Sequence, residues 1–208
     1  MTAQVLGVAA LFVRSDSVYK SIEGVDAYDF ERDALTWPGG CPVVAHPPCR
    51  AWGRLRAMAK PRQGERELAI FAVDQVRTFG GVLEHPLSSQ LWSVSGLPMP
   101  GQFDRFGGWT FPILQSAFGH RADKPTLLYI CGIQPGALPD FPLRLGRASH
   151  VIAQMRTRRD GSRMRKGDPG WRPEVSKAER EHTPEQLARW LVDLARMCRV
   201  DALSRAAA

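Results

Sequence analysis

The sequence predicts an α/β fold, a mostly parallel sheet with flanking helices, on three observations. Short apolar runs end in polar or proline-rich turns, as at Val43-Val44-Ala45 before His46 and Val82-Leu83 before Glu84-His85-Pro86. An amphipathic stretch over 65–79 lies between those runs, giving strand–helix–strand, the unit that joins parallel strands. A second amphipathic stretch follows Thr183 near the end of the chain. With 208 residues, 44% of them hydrophobic, the chain is long enough for one domain with a real core. The expected organisation is an α/β core over 1–153 with an irregular insertion at about 87–117. A basic segment follows over 154–182, then a C-terminal helix with a frayed tail over 183–208.

The first strand is the run Val5–Val13, apolar throughout and therefore buried on both faces. Gly24–Asp29 reads as a short second strand. Pro38-Gly39-Gly40 punctuates the chain, and Pro42–Ala45 is a third strand. Residues 50–60, rich in Arg and Lys, are expected to be helical. In 65–79, Leu68, Phe71, Ala72, Val76 and Phe79 follow the i, i+3, i+4 rule and give one apolar face, which Gly80-Gly81 stops. Val82–Glu84 is the next strand. Residues 87–118, rich in Gly, Pro and aromatics, show little periodicity and read as a long functional loop. Thr126–Cys131 is a strand ended by Gly132, and 133–150 is a proline-rich connection. The arginine-rich stretch 154–172 is expected to be mobile when free. The last helix starts at the cap Thr183 with Pro184 in its first position, and Leu187, Trp190, Leu191, Leu194, Ala195 and Cys198 form its apolar stripe.

A net charge of +7 and a pI near 9.7 favour polyanion partners, DNA first among them. No run of about 18 apolar residues is present, so no transmembrane helix and no membrane partner are expected. The N-terminal apolar stretch has no basic residue before it and reads as a strand, not a signal peptide. Cys41, Cys49, Cys131 and Cys198 are scattered with no CxxC pair, which fits a reducing cytoplasm and neither a disulfide framework nor a thiolate zinc site.

Chemistry concentrates at strand ends. In Val43-Val-Ala-His-Pro-Pro-Cys49-Arg50 a strand delivers a cysteine to the sheet edge where α/β proteins place their sites. Pro47 and Pro48 stiffen the turn. A helix starting after Cys49, with Arg50, Arg54 and Arg56 nearby, would favour a reactive thiolate. In Gly81-Val-Leu-Glu84-His85-Pro86 a carboxylate ends a second strand and can hydrogen-bond a pyrimidine edge. Phe118-Gly-His120-Arg121-Ala-Asp-Lys124 brings basic side chains to a third strand boundary, for phosphate or base. His46, Cys49 and His85 also form a conceivable zinc set, but the deaminase pattern Pro-Cys-x-x-Cys is absent. Trp52, Trp92 and Trp109 are read as core or loop anchors or a base-pocket lining. Trp190 and Cys198 are read as core, and His150 and His182 as surface or cap residues.

The order strand-Pro-Pro-Cys, strand-Glu-His-Pro, Phe-Gly-His…Lys-Pro-Thr-strand resembles the DNA cytosine-C5 methyltransferase family, in particular its small phage and prophage members. The resemblance spans about residues 40–135 and, less fully, 178–198. It implies an abbreviated Rossmann-like, methyltransferase-type sheet in a phage-encoded enzyme of the bacterial cytoplasm. By resemblance Cys49 attacks C6 of a flipped base and Glu84 anchors the ring. His46, Pro48, Arg50, His85, Pro86, His120, Arg121 and Lys124 would surround it, with His85 where the family usually has Asn and Lys124 where it has Arg. S-adenosylmethionine would be the cofactor, met by Asp26 or Asp29 and by Thr183 and Pro184. Arg156, Arg158, Arg159, Arg163, Arg165 and Lys166 would hold DNA phosphates without reading sequence. The cofactor half departs from the family. Leu11–Ser17 has no glycine, and only about a dozen residues join the first two strands, where a crossover with its helix takes about 10–12 by itself. Two further readings follow: a donor other than S-adenosylmethionine, or a non-catalytic DNA-binding protein on the same scaffold.

Overall fold

The computed structural model describes residues 7–54, 56–142, 144, 146–153, 160–162 and 164–200. Six strands form one sheet: β1 (Val8–Leu11), β2 (Val25–Tyr28), β3 (Val43–Ala45), β4 (Gly81–Pro86), β5 (Trp109–Leu114) and β6 (Pro125–Cys131). Their order across the sheet is β2-β1-β3-β4-β6-β5. β1 to β4 pair in parallel, and β6 runs antiparallel to both its neighbours. The sheet is therefore mixed, with a single reversed strand.

The strand side chains alternate between two helical layers. Ala9, Leu11, Val43, Ala45 and Leu83 face α1 (Glu65–Phe79), whose Ala69, Ala72, Val73 and Val76 they bury. Val8, Ala10, Val44, Val82, Leu128 and Ile130 face α4 (Glu185–Met197) and its stripe of Leu187, Leu191 and Leu194. α1 takes the expected bounds, and α4 begins just after Pro184, which caps it. β3 and β4 approach so closely that a Cβ on Gly81 would lie 2.0 Å from the Val43 carbonyl oxygen, and Gly81 has φ +118°. Only glycine fits there.

The connection between β1 and β2 contains one 3₁₀ turn, Val18–Ser21, in place of a crossover helix; it inserts Tyr19 into the α4-side core. Residues 50–60 are not the expected helix. Cys49 carbonyl oxygen accepts from Trp52 and Gly53 N–H, and a 3₁₀ turn over Arg56–Met58 follows. Trp52, fully buried beneath the Arg66 guanidinium, pins the segment as a turn. The supposed loop 87–118 holds a short helix α2 (Leu91–Val94) and the edge strand β5. Pro112 obscured β5, since proline is tolerated in an edge strand but weakens its signature. The stretch before α4 is not featureless either. Val175 is buried, Val151 pairs with Glu174, and α3 (Lys177–Glu181) sits beyond them. No helix among the described residues is long and apolar enough to cross a membrane.

Candidate active site at the carboxyl edge of the sheet

The strand order reverses between β1 and β3, and ligands of open α/β sheets bind outside the carboxyl ends at such a point. A cavity of about 580 Å³ opens there, within the range of small-molecule sites. Cys49 and Glu84 both line it, as do His46, Pro48, Arg50, His85, Pro86 and Lys124 from the expected set. The sheet register explains the convergence. Ala45 pairs with Leu83, so the next residues, His46 and Glu84, emerge side by side.

His46 and Glu84 anchor a hydrogen-bonded chain. Glu84 Oε2 lies 3.1 Å from His46 Nδ1, and His46 Nε2 lies 2.8 Å from the Tyr19 hydroxyl. On the other side Gln115 Nε2 donates to Glu84 Oε1 at 2.9 Å and to Thr126 Oγ1 at 3.1 Å. Burial pushes the Glu84 carboxyl up, but the His46 hydrogen bond and the charge of Lys124 outweigh it and hold the carboxyl down to about 2. Burial drives the Tyr19 phenol well above its ordinary value, so it keeps its proton to donate to His46. With a neutral ring, His46 then donates from Nδ1 to Glu84. The carboxylate thus receives donors from both sides and is fixed as an acceptor. His85, on the opposite face of β4, is fully buried with Nδ1 2.7 Å from Ser89 Oγ. Burial prevails over the Glu84 charge and the Pro48 carbonyl and lowers this imidazole to about 4.

Cys49 is solvent-accessible, with a free thiol set in the concave wall. Among the described residues, turns and not the expected thiolate-favouring helix follow it. Burial within the wall pushes its pKa up, the Glu84 charge adds to this, and Lys124 opposes it. Lys124 is thus the cation that favours the thiolate. It has φ +40° immediately before Pro125, a strained conformation for a non-glycine residue.

Other expected residues lie elsewhere. Buried His120 bonds the Ala122 backbone and the Glu179 carbonyl, and exposed Arg121 pairs with Glu179. Neither lines the cavity, because both dock α3 on the core. Arg50, at the rim, is held by both oxygens of buried Glu65. Asp26 pairs with Arg32, and Asp29 is bound by Lys20 Nζ at 2.5 Å and by the Glu31 and Arg32 N–H groups. Both acids sit at the β2 edge, outside the cavity lining. Of the four expected cofactor residues, Thr183 lines the cavity and Pro184 does not. Arg165 and Lys166 are exposed, whereas Arg156, Arg158, Arg159 and Arg163 fall outside the described residues. Both nitrogens of His46 already have partners, which leaves no complete zinc set from His46, Cys49 and His85; among the described residues no group of three or more ligating side chains is suited to a metal.

Sequence reasoning missed Tyr19 and Gln115, and also Arg14, Arg62 and Lys177 in the cavity wall; Arg180 and Glu181, which line it too, fall in the stretch 180–184 that the resemblance placed on the cofactor side. Tyr19 and Gln115 stand in no motif, and only the fold brings them to His46 and Glu84. The chain matches no model of a known protein family, and no curated protein matches its sequence.

Proposed function

We propose that this protein binds nucleic acid and activates a pyrimidine base by adding the Cys49 sulfur to ring carbon C6. One observation carries the reading: a free thiol, an acceptor carboxylate and a cation line one cavity at the carboxyl edge of the sheet. The ordered motifs shared with the cytosine-C5 methyltransferases support it. So does the β2-β1-β3-β4 order, which fits an abbreviated Rossmann-like sheet lacking an outer strand.

A base in a stack hides C6, so the reacting nucleotide must be unstacked or single-stranded. Glu84 then accepts from a ring-edge donor, the exocyclic amine of cytosine or the N3–H of uracil. Lys124 stands near both the thiol and Glu84 electrostatically and balances the negative charge that grows on the ring. The thiol loses its proton, the sulfur bonds to C6, and the C5–C6 electron pair makes C5 nucleophilic. C5 takes an electrophile and loses its hydrogen as a proton, and sulfur leaves.

The residues present do not fit S-adenosylmethionine. Phe12, at φ +61°, fills the turn after β1 and packs edge-on against Phe71, where close backbone approach is needed. Asp26 and Asp29, paired with Arg32 and Lys20 at the β2 edge, do not line the cavity. The reading therefore assigns the covalent activation and leaves the C5 donor open. The raised Cys49 pKa and the filled turn favour a second reading, a non-catalytic nucleic-acid-binding protein.

One experiment separates the two without any donor. In D₂O, reversible addition at C6 exchanges the C5 hydrogen of pyrimidines for deuterium, read by mass spectrometry of nucleosides after incubation with single-stranded DNA. Exchange that is lost in Cys49→Ser supports the enzyme. Exchange no faster than in protein-free DNA sinks it.

A further inference from the structure

The short helix α3 walls the cavity through Lys177, Arg180 and Glu181, yet buries no residue of its own. Polar contacts hold it. Arg14 Nη1 donates to Glu181 Oε2 at 2.7 Å, and His182 Nε2 lies 2.9 Å from Asp16 Oδ2. Arg121 Nε lies 2.9 and 3.1 Å from the two Glu179 oxygens. His120 Nε2 contacts the Glu179 carbonyl at 3.2 Å, Lys124 Nζ reaches the His182 carbonyl at 3.4 Å, and Arg180 Nη1 reaches the Ile152 carbonyl at 3.3 Å. Arg121 and Lys124 on the loop entering β6 are thus turned toward oxygens of one short segment, and so is Arg14 on the loop after β1, which divides its guanidinium between Glu181 and Asp16, with Nε 2.9 Å from Asp16 Oδ1. Two more cations line the cavity, Arg62, whose guanidinium stacks on Phe30, and Lys177 of α3 itself; neither side chain forms an ion pair with a carboxylate among the described residues.

We infer that α3 covers a phosphodiester-binding surface formed by Arg14 and Arg121, with the Glu181 and Glu179 carboxylates standing where strand phosphates go. The inference rests on the nucleic-acid reading above. Carboxylate and phosphate satisfy an arginine in the same bidentate way, so one replaces the other with little loss at the guanidinium. A strand would also reach Arg62, which lies outside α3 and stays in place, and this gives the exchange its direction. The resisting side is weak, because a five-residue helix has no stability of its own and exposed ion pairs contribute little each. The occupant is a nucleic-acid strand: it alone brings a row of phosphates together with a base that suits the cavity beneath.

The test compares wild type with Glu179→Gln/Glu181→Gln for binding a labelled single-stranded DNA oligonucleotide by anisotropy at low salt. A Glu23→Gln/Asp193→Asn variant, changing two exposed acids outside the cavity, controls for net charge. The α3 variant is expected to bind about tenfold tighter than wild type and clearly tighter than the control. DNA is expected to speed amide exchange over 177–183 in the wild type. Equal binding by the α3 and control variants, or exchange slowed by DNA at 177–183, overturns the covered-surface inference alone. An oligonucleotide bound by none of the three proteins overturns the nucleic-acid reading and this inference together.

Discussion

Glu84 and His85 are adjacent in sequence and opposite in setting, and each makes the fold acid-sensitive over its own range. His85 is lowered from 6.5 to about 4, so the unfolded chain takes up this proton first. Its contribution is complete above pH 6.5 and is lost as pH falls toward 4. Glu84 is lowered from 4.5 to about 2; its contribution is complete above pH 4.5 and fades toward 2. Each is worth about 3 kcal/mol at most. Urea midpoints should therefore drop from pH 7 to pH 4 in the wild type, and much less in His85→Asn, whatever the variant's stability at pH 7. For Cys49, the alkylation rate of its peptide should still be climbing above pH 9. Glu84→Gln should move that profile to lower pH and Lys124→Met to higher pH. Profiles that ignore both changes would mean that sulfur, carboxylate and amine do not share one field. Cys49 and Glu84 were legible because each sits in a short motif at the end of a recognisable strand. Tyr19 and Gln115 were not, since their roles come from a 3₁₀ turn and a loop that only tertiary packing brings to the site.

At the scale of elements, periodicity was a good guide wherever an apolar face meets the sheet. α1 and α4 bury their stripes on opposite sides and were readable almost to the residue. Leu191→Ala, at a fully buried position, should cost about 2–5 kcal/mol in denaturant unfolding, while Ile70→Ala on the open side of α1 should cost far less. Gly81→Ala should be worse than either, because β3 leaves no room for its methyl group. A Gly81→Ala protein as stable as wild type would contradict the β3–β4 register on which the His46–Glu84 pair depends. What the sequence concealed follows from local exceptions. Gly53 and the buried Trp52 defeat a helix that composition favours, Pro112 hides an edge strand, and α3 is too short and too polar to announce itself.

Across the whole molecule, the excess of 28 Lys and Arg over 21 Asp and Glu was visible from the start, but its use was not. Several of these cations are committed within the fold: Arg50 to Glu65, Arg77 to Asp104 and Arg32 to Asp26. On the proposed reading, the cations lining the cavity, among them Arg62, Lys124 and Lys177, matter more for a polyanion than net charge does. Affinity for single-stranded DNA should fall steeply with salt, and Arg62→Gln should flatten the logarithmic slope by about 0.7, the value of one phosphate contact. An unchanged slope would place the strand on another face.

Phe12 carries a consequence for how this protein can change. Its main chain already adopts the left-handed shape that glycine takes most readily, so Phe12→Gly would relieve the torsion and empty the space beside Phe71 in a single step. A ring thus fills a turn whose main chain has a contour suited to glycine, and its removal would open space in which a small molecule could sit against the backbone.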